Sequence, residues 1–236
     1  MQIEHVGGRG CDLELGIVFI LDSVIKTIQL CFKKIESFLI YKTLSRMITE
    51  NSYLQVDTLP SELQIGPPGT TEFEELWNLH PEKRKTITVF SKKVTVPRWC
   101  QTYGQIDYSF SKQKFEALPV PKILQPYLDW VNKKDKGFNT LHVNWYDNGN
   151  DYIGWHSDNE KQIVKGSDIY TISFGAERRF KIRSKDKTID MEVPTTHNGY
   201  MIMGGSFQDE LKHHIPRSKK VKERRISITI RKFHEM

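Results

Sequence analysis

The spacing of hydrophobic residues changes in character near residue 85 of this chain. Between residues 13 and 48, apolar side chains such as Leu21, Val24 and Ile28 recur every three or four positions, which predicts one or two helices. Such a stripe suits a helix that packs on a core, and a helix lying on a membrane surface is the alternative interpretation. Residues 59–71 are rich in proline and glycine and predict a linker, and a short helix is expected near residues 72–79.

Beyond residue 85 the pattern is one of short strands. Segments rich in Val, Ile, Thr, Tyr and Phe alternate with polar turns, which is typical of an antiparallel sandwich or jelly roll. The predicted strands are residues 86–90, 141–146, 169–174, 179–183, 199–203 and 225–233. One helix, at about residues 121–133, interrupts the series. We therefore predict a mostly β fold with flanking helices (α+β).

Composition narrows the choice of partner and compartment. A net charge of +6 and a pI near 9.1 favour an anionic partner, with nucleic acid the first candidate. Cys11, Cys31 and Cys100 form no CxxC pair, which favours a reducing intracellular compartment, the nucleus or the cytoplasm, over a disulfide framework. The acidic start of the chain does not fit a secretory signal, and its apolar runs are far shorter than the roughly 20 residues of a membrane span.

The segment Trp155-His156-Ser157-Asp158 contains a candidate pair of metal ligands. In extended backbone, residues two apart point to the same face, so His156 and Asp158 can reach one ion together. A histidine from a later strand would complete a two-histidine, one-carboxylate set, which leaves about half of an octahedral iron(II) open. The candidates are His213, its neighbour His214, and His197; adjacent strand residues face opposite ways, so His213 and His214 cannot both be ligands.

A late strand alternates between isoleucines and polar residues. Ile226, Ile228 and Ile230 form one face, and the polar face is Arg225, Ser227, Thr229 and Arg231. If the polar face pointed to solvent, this would be an ordinary amphipathic strand. If it lined the mouth of a barrel, its two guanidinium groups would bind a small dicarboxylate. The earlier strand similarly places Asn144 and Tyr146 on one face, where both side chains could bond to the same anion.

Five motifs, taken in order, resemble the AlkB family of iron- and 2-oxoglutarate-dependent dealkylases. They are Asn144-Trp145-Tyr146, His156-Ser157-Asp158, Ser173-Phe174-Gly175-Ala176, His213, and the strand from Arg225 to Arg231. The resemblance covers residues 90–233 and implies a double-stranded β-helix (jelly roll) core. We therefore expect an N-terminal helical extension of unknown role at residues 1–55, a linker and short helix at 56–84, and a dioxygenase domain at 85–236.

The resemblance also implies the cofactors and the residues that hold them. The family pattern makes His156, Asp158 and His213 the ligands of Fe(II), with His213 preceding a proline by three residues as in the duplex-acting members. The cosubstrates are 2-oxoglutarate and O2. The residues implied for 2-oxoglutarate are Asn144, Tyr146, Arg225, Thr229 and Arg231.

The match is closest to the branch that repairs duplex DNA. The run from Val96 to Gly104, followed by another aromatic segment, looks like that branch's nucleotide-recognition lid, here at about residues 86–115. Phe90 stands eight residues before Arg98, where the branch has an aromatic finger that fills the gap left by a flipped base; packing in the core is the alternative. The implied contacts to the base or DNA are Phe90, Ser91, Lys92, Arg98, Tyr108, Ser109, Phe110, Asn159 and Glu160.

Residues 217–222, the basic loop, have the place and length of a loop that grips DNA in that branch. The resemblance implies backbone contacts for Arg217, Lys219 and Lys220, and a solvated run of charges is the alternative. Asn159 stands where relatives have a second aspartate, which removes a charge that would favour a cationic methylated base. Glu160 remains beside it.

These expectations combine into one predicted function. The chain, expected to be monomeric, would oxidatively demethylate N-alkylated bases of the 1-methyladenine and 3-methylcytosine type in DNA, releasing formaldehyde. Duplex DNA is favoured as the partner, and single-stranded DNA or RNA is possible. The alternatives are an RNA demethylase of the same chemistry, a catalytically inactive nucleic-acid-binding module, and a protein hydroxylase on the same scaffold.

Overall fold

The structure is a computed structural model, and residues 44–89, 92–110 and 113–234 are described in it. The described residues belong to a compact unit that extends from Thr43 to Met236. The helices predicted for residues 13–43 lie outside the described residues.

Short strands dominate the described chain. The first strands are β1 (Leu44–Met47), β2 (Ser52–Thr58), β3 (Thr86–Val89), β4 (Lys92–Thr95), β5 (Trp99–Gly104), β6 (Tyr108–Phe110), β7 (Gln113–Phe115) and β8 (Thr140–Tyr146). The later strands are β9 (Ile153–His156), β10 (Ile169–Gly175), β11 (Arg178–Ser184), β12 (Asp190–Thr195), β13 (Gly199–Gly205), β14 (Leu211–Ile215) and β15 (Arg225–Arg231). The helices are α1 (Thr71–Trp77), α2 (Gln125–Lys134) and the single turn α3 (Phe207–Glu210), with a 3-10 turn at Ser61–Leu63.

Two antiparallel sheets form the framework. The larger has the order β1-β2-β13-β10-β15-β8-β5 and the smaller the order β12-β11-β14-β9. Two hairpins, β3 with β4 and β6 with β7, complete the described pairings of named strands. In both sheets, many neighbouring strands come from distant parts of the sequence, which is the arrangement of a jelly roll of two packed antiparallel sheets. The predicted mostly β fold is therefore confirmed.

The two larger hydrophobic clusters among the described residues lie on opposite faces of the large sheet. On one face, Ile226, Ile228 and Ile230 of β15 are fully buried in a cluster with residues of α1 and α2. On the other face, a second cluster lies between the sheets and includes Met201 of β13 and Ile182 of β11. Both faces of β15 are consequently buried, so the large sheet has little contact with solvent at its centre.

The structure changes two expectations at the N-terminal side. Residues 44–47 form β1, so the predicted helical stripe is wrong at its C-terminal end, residues 44–48. Pairing with β2 along a sheet edge overrides the local helical period there. The domain boundary expected after residue 55 falls inside β2, which pairs with β13 over seven residues and belongs to the large sheet.

The helices follow their sequence signals. The predicted helices near residues 72–79 and 121–133 correspond to α1 and α2, and Pro126 stands in the first turn of α2, where its missing N–H costs nothing. Among the described residues, no helix combines the length and the apolar composition that crossing a membrane requires.

Candidate metal centre and cosubstrate pocket

Two neighbouring strands of the small sheet bring the predicted metal ligands together. His156 ends β9 and lies directly opposite His213 of β14, and Asp158 follows β9 two residues later. One donor atom from each of these three side chains lies within 4.8 Å of the others. His214 points to the opposite face of β14, where its ring stacks on Trp155. The cluster therefore offers two imidazoles and one carboxylate from one side, which fits a metal with open positions.

Hydrogen bonds and ring packing hold the cluster in place. His156 Nδ1 lies 2.8 Å from the carbonyl oxygen of Gly154, so donation from Nδ1 leaves Nε2 for the centre of the cluster. The backbone N–H of Asp158 donates to Gln208 Oε1 at 2.8 Å. The ring of His213 stacks on Phe180 with 5.0 Å between centroids. These contacts orient the donors before any ion binds.

The electrostatics of the cluster suit a cation. Burial lowers the pKa of His213 to about 3 and also lowers the pKa of His156, so both imidazoles are neutral at neutral pH. Burial alone would raise the pKa of Asp158, but Arg231 and the two imidazoles outweigh it and hold that pKa below its usual value. Neutral histidines and an ionised aspartate are the forms that bind a metal.

The polar face of β15 lies between the two sheets and is buried. Arg225 is 1% exposed; its Nη2 donates to Ser173 Oγ at 2.9 Å and its Nε to Thr195 Oγ1 at 3.2 Å. Its Nη1 is buried without a hydrogen bond to any described residue. Burial lowers the pKa of Arg225 to about 10, and Tyr146 opposes that shift. A buried donor left without an acceptor is costly, so this position fits the carboxylate of a bound ligand.

The second arginine of the strand forms an ion pair with one of the candidate metal ligands. Arg231 Nη2 lies 2.8 Å from Asp158 Oδ2, and its Nη1 lies 3.9 Å from Glu160 Oε1. Both the guanidinium and the Asp158 carboxylate are almost fully buried. Arg231 therefore links the three candidate metal ligands on the small sheet to strand β15 of the large sheet.

One cavity of about 330 Å³ joins these groups. Its volume is at the lower end of that of small-molecule sites, roughly 300–1,000 Å³. Its walls include every predicted residue for the metal and for 2-oxoglutarate, namely His156, Asp158, His213, Asn144, Tyr146, Arg225, Thr229 and Arg231. Cross-strand pairing places Tyr146 opposite Arg225 and Asn144 opposite Ser227. We call the lining from β8 and β15, together with His156, Asp158 and His213, the floor of the cavity.

The residues predicted to contact the base or DNA are distributed differently. Arg98 and Glu160 line the cavity, and Arg98 Nε donates to Asn144 Oδ1 at 2.5 Å. Lys92 on β4 and Asn159 are exposed and do not line the cavity. Phe90 and Ser91 lie outside the described residues. Tyr108, Ser109 and Phe110 form β6, but their side chains also lie outside what the structure describes.

The basic loop lies on the surface after β14. Arg217, Lys219 and Lys220 are exposed. The guanidinium of Arg217 lies 4.5 Å from the centre of the Tyr152 ring, and Tyr152 lines the cavity. The loop therefore begins at the rim of the pocket.

Several cavity residues were not predicted from the sequence. His142 is buried on the same face of β8 as Asn144, and its Nδ1 lies 3.0 Å from Thr102 Oγ1. The period of two along β8 was the signal that could have identified it. Lys85, Cys100, Tyr152, Trp155 and Thr171 also line the cavity. These residues reach the cavity through tertiary packing of their strands and loops, which a local sequence pattern does not reveal.

Comparison with known proteins agrees with this geometry. Residues 71–231 match the 2OG-Fe(II) oxygenase superfamily, so the chain belongs to that superfamily. Its relatives include alpha-ketoglutarate-dependent dioxygenase alkB homolog 3 of Bos taurus, 30% identical over 67% of this chain and 59% of that protein. DNA oxidative demethylase ALKBH2 of Homo sapiens is 32% identical over 62% of this chain and 60% of that protein. The resemblance to the AlkB family is therefore confirmed.

These similarities cover only part of the relatives' length. The chain spans about 60% of the length of these curated relatives. The solved structure of OsALKBH1 matches with a TM-score of 0.50 and 14% identity, covering 80% of this chain and 100% of that chain, which supports the fold alone. The matched superfamily is one of oxygenases that depend on Fe(II) and 2-oxoglutarate. The cluster of His156, Asp158 and His213 fits the iron site.

Proposed function

We propose that the protein oxidatively demethylates N-alkylated bases in DNA, with 1-methyladenine and 3-methylcytosine as the lesion type. The observation that carries the proposal is the single cavity in which the metal cluster, the buried Arg225 and the lid residue Arg98 meet. Relatives named as alkB homolog 3 and as DNA oxidative demethylase support the choice of substrate. The basic loop and the net charge of +6 support a polyanionic partner.

In this proposal the floor of the cavity holds the reagents. His156, Asp158 and His213 would bind Fe(II), and Arg225 with Tyr146 would bind the distal carboxylate of 2-oxoglutarate. Arg231, Asn144 and Thr229 would hold the rest of the cosubstrate. The bound iron, with 2-oxoglutarate and O2, supplies the oxidation of the methyl group. The side chains of the floor orient these reagents and exclude water from them.

The rim would present the base. A base inside a duplex cannot reach the buried cluster, so it must be flipped out of the stack, at a cost of a few kcal/mol that is lower for a poorly paired methylated base. Arg98 and Glu160, which line the cavity, would contact the flipped base, and Tyr108 and Phe110 would stack on it. Phe90, Ser91 and Lys92 on the β3–β4 hairpin would contact the duplex, with Phe90 filling the gap. Asn159 would lie near the base.

The remaining contacts and the product follow from the same arrangement. Arg217, Lys219 and Lys220 would neutralise phosphates of the DNA backbone. Hydroxylation of the N-methyl group gives a hydroxymethyl base, which loses formaldehyde and leaves the unmodified base. We propose that a monomer acts inside the cell, with duplex DNA as the preferred substrate.

The test is demethylation of an oligonucleotide that contains one 1-methyladenine, as single strand and as duplex. Mass spectrometry follows the loss of one methyl group in the presence of Fe(II), 2-oxoglutarate and ascorbate. His213→Ala removes a proposed ligand, and His214→Ala is the matched control because its ring faces away from the cluster. We expect loss of activity in the first variant and activity within a few-fold of the unmodified protein in the second.

The other outcomes separate the alternatives. Methyl loss only from an RNA oligonucleotide would replace DNA by RNA as the substrate. Conversion of 2-oxoglutarate to succinate without binding to any oligonucleotide would move the proposal to a protein substrate. Oligonucleotide binding without any turnover of 2-oxoglutarate would identify a binding module.

A further inference from the structure

Arg178 is a buried cation whose guanidinium is bound by backbone carbonyls from two loops. It is 2% exposed. Its Nη2 donates to the carbonyl oxygens of Asp151 at 2.8 Å and Pro216 at 2.6 Å, and its Nη1 donates to that of Asn148 at 3.4 Å. The carboxylate of Asp151 is engaged by Arg84 instead. The planar guanidinium, with donors spread over separate nitrogens, suits carbonyls that lie this far apart.

Arg178 joins the loop after β8 to Pro216, the residue immediately before the basic loop. The two loops also pair directly, because Gly149 N–H donates to the Val221 carbonyl at 3.0 Å and Ser218 N–H donates to the Gly149 carbonyl at 2.8 Å. A Cβ atom at Gly149 would lie 1.8 Å from the Ser218 carbonyl oxygen, so only glycine permits this approach. The conformation of the basic loop thus depends on a few contacts at its base.

The same arginine packs beside Tyr146, a residue that lines the cavity next to Arg225. Its guanidinium lies 5.7 Å from the centre of the Tyr146 ring, and the guanidinium of Arg225 lies 5.0 Å from the same ring. Thr195 Oγ1 accepts from the backbone N–H of Arg178 and from Nε of Arg225. Two cations therefore flank one aromatic ring, and their repulsion is one of the causes that lower the pKa of Arg225.

We infer that Arg178 is a positioning residue that couples the carboxylate site at Arg225 to nucleic-acid binding by the basic loop. An anion bound at Arg225 offsets the repulsion between the two guanidinium groups, which favours the conformation in which Arg178 holds both loops. The cosubstrate then tightens nucleic-acid binding, and nucleic acid tightens cosubstrate binding by the same factor. This inference rests on the proposed function for its nucleic-acid partner.

The experiment measures binding of a fluorescent duplex oligonucleotide by anisotropy, with and without 2-oxoglutarate. Mn(II) replaces Fe(II) so that no turnover occurs. The variants are Arg178→Met, Arg178→Lys and Gly149→Ala, and the matched control is Arg179→Met. Arg179 is the next residue of β11, but its side chain is exposed and pairs with Glu192 on the outer face. A thermal melt of each protein shows which variants are folded at the assay temperature.

The expected pattern separates positioning from stability. Arg178→Met weakens duplex binding by about tenfold and abolishes the effect of 2-oxoglutarate on it, and Arg178→Lys is intermediate. The same variant raises the KM for 2-oxoglutarate in succinate formation, with a smaller change in kcat. Gly149→Ala weakens duplex binding but leaves the KM for 2-oxoglutarate unchanged, because the added methyl group separates the loops without contacting Arg225.

Defined results would overturn the inference. One is a folded Arg178→Met protein whose duplex affinity, response to 2-oxoglutarate and KM all equal those of Arg179→Met. Unfolding of both Arg178 variants at room temperature would reduce Arg178 to a structural residue. If the unmodified protein converts 2-oxoglutarate but binds no nucleic acid, the proposed function fails. The coupling to the basic loop then fails too. An unchanged KM for 2-oxoglutarate in Arg178→Met would also refute the other part of the inference, the effect of Arg178 on the carboxylate site at Arg225.

Discussion

The charged residues on the floor of the cavity are buried and paired, whereas those of the basic loop that begins at its rim are exposed to solvent. On the floor, Arg225, Arg231 and Asp158 are almost fully buried, and each is held by specific partners. On the basic loop, which begins at the rim with Arg217, Lys219 and Lys220 are exposed. Buried charges require partners or ligands because burial without them is costly, whereas exposed charges interact weakly and through screening water. We expect substitutions on the floor to change chemistry and stability, and substitutions on the rim to change affinity and its salt dependence.

The largest effect is expected from Asp158→Ala. The substitution removes a proposed metal ligand and the carboxylate that lies 2.8 Å from Arg231. The affinity for Mn(II) or Fe(II) should fall by more than about 100-fold, since even the loss of a partner of a ligand costs about 10–100-fold. Breaking the buried pair should also lower the free energy of unfolding by about 3 kcal/mol. Titration calorimetry and urea denaturation measure the two effects.

Asp209→Ala is the control for this change, because that carboxylate is exposed and forms only an exposed ion pair, 3.8 Å from a lysine. Unchanged metal affinity in Asp158→Ala would show that the cluster is not the iron site.

Arg225→Met should mainly raise the KM for 2-oxoglutarate. Loss of a charged hydrogen-bonded partner of a buried carboxylate costs about 2–3 kcal/mol, which corresponds to roughly 30-fold or more. Arg225→Lys should recover part of the loss, since it keeps the charge but not the planar fork. Initial rates of succinate formation at varied 2-oxoglutarate give the KM. An Arg224→Met protein is the comparison, because Arg224 faces Glu74 of α1 instead; an equal KM in both variants contradicts the assignment.

Acid should destabilise the metal-free protein through its buried histidines. Burial, assisted by Arg231 and Arg98, holds the pKa of His142 well below 6.5. The unfolded chain binds a proton as the pH falls below about 6.5, and the folded protein does not, so stability is lost in that direction. Between pH 6.5 and 5 the loss is on the order of 2 kcal/mol for such a histidine. Denaturation of the unmodified protein and of His142→Leu at both pH values measures it.

His142→Leu should show a smaller loss of stability between the two pH values, because one of the buried imidazoles is gone. Equal losses in the two proteins would contradict the neutral, buried state of His142.

The smallest effect is expected on the rim. Lys219→Ala and Lys220→Ala should change the free energy of unfolding by less than about 0.5 kcal/mol, as for most exposed side chains. Each should weaken binding to all sequences similarly and reduce the slope of log affinity against log salt by about one. Anisotropy titrations at several salt concentrations measure the slope. A slope equal to that of the unmodified protein would show that the lysine contacts no phosphate.

The alternation on β15 illustrates what the sequence predicts well and where it stops. The period of two separated three isoleucines from two arginines, but it allowed the arginine face to point to solvent. The second sheet settles this, because it covers that face and leaves both arginines buried, with Arg231 2.8 Å from Asp158. The short strands β9 and β14 were not predicted as strands, yet their pairing sets His156 opposite His213.

The sequence by itself determined the mostly β class and the two main helices, because alternation and residue type are local properties. It also supplied the candidate site residues, through those patterns and the resemblance to the AlkB family. It did not determine that residues 44–58 belong to the large sheet, since pairing with β13 connects positions far apart in the chain. Nor did it determine the buried surroundings of His142 or Arg178, which look ordinary in sequence. Their neighbours come from distant strands and loops, and only the tertiary structure brings those neighbours together.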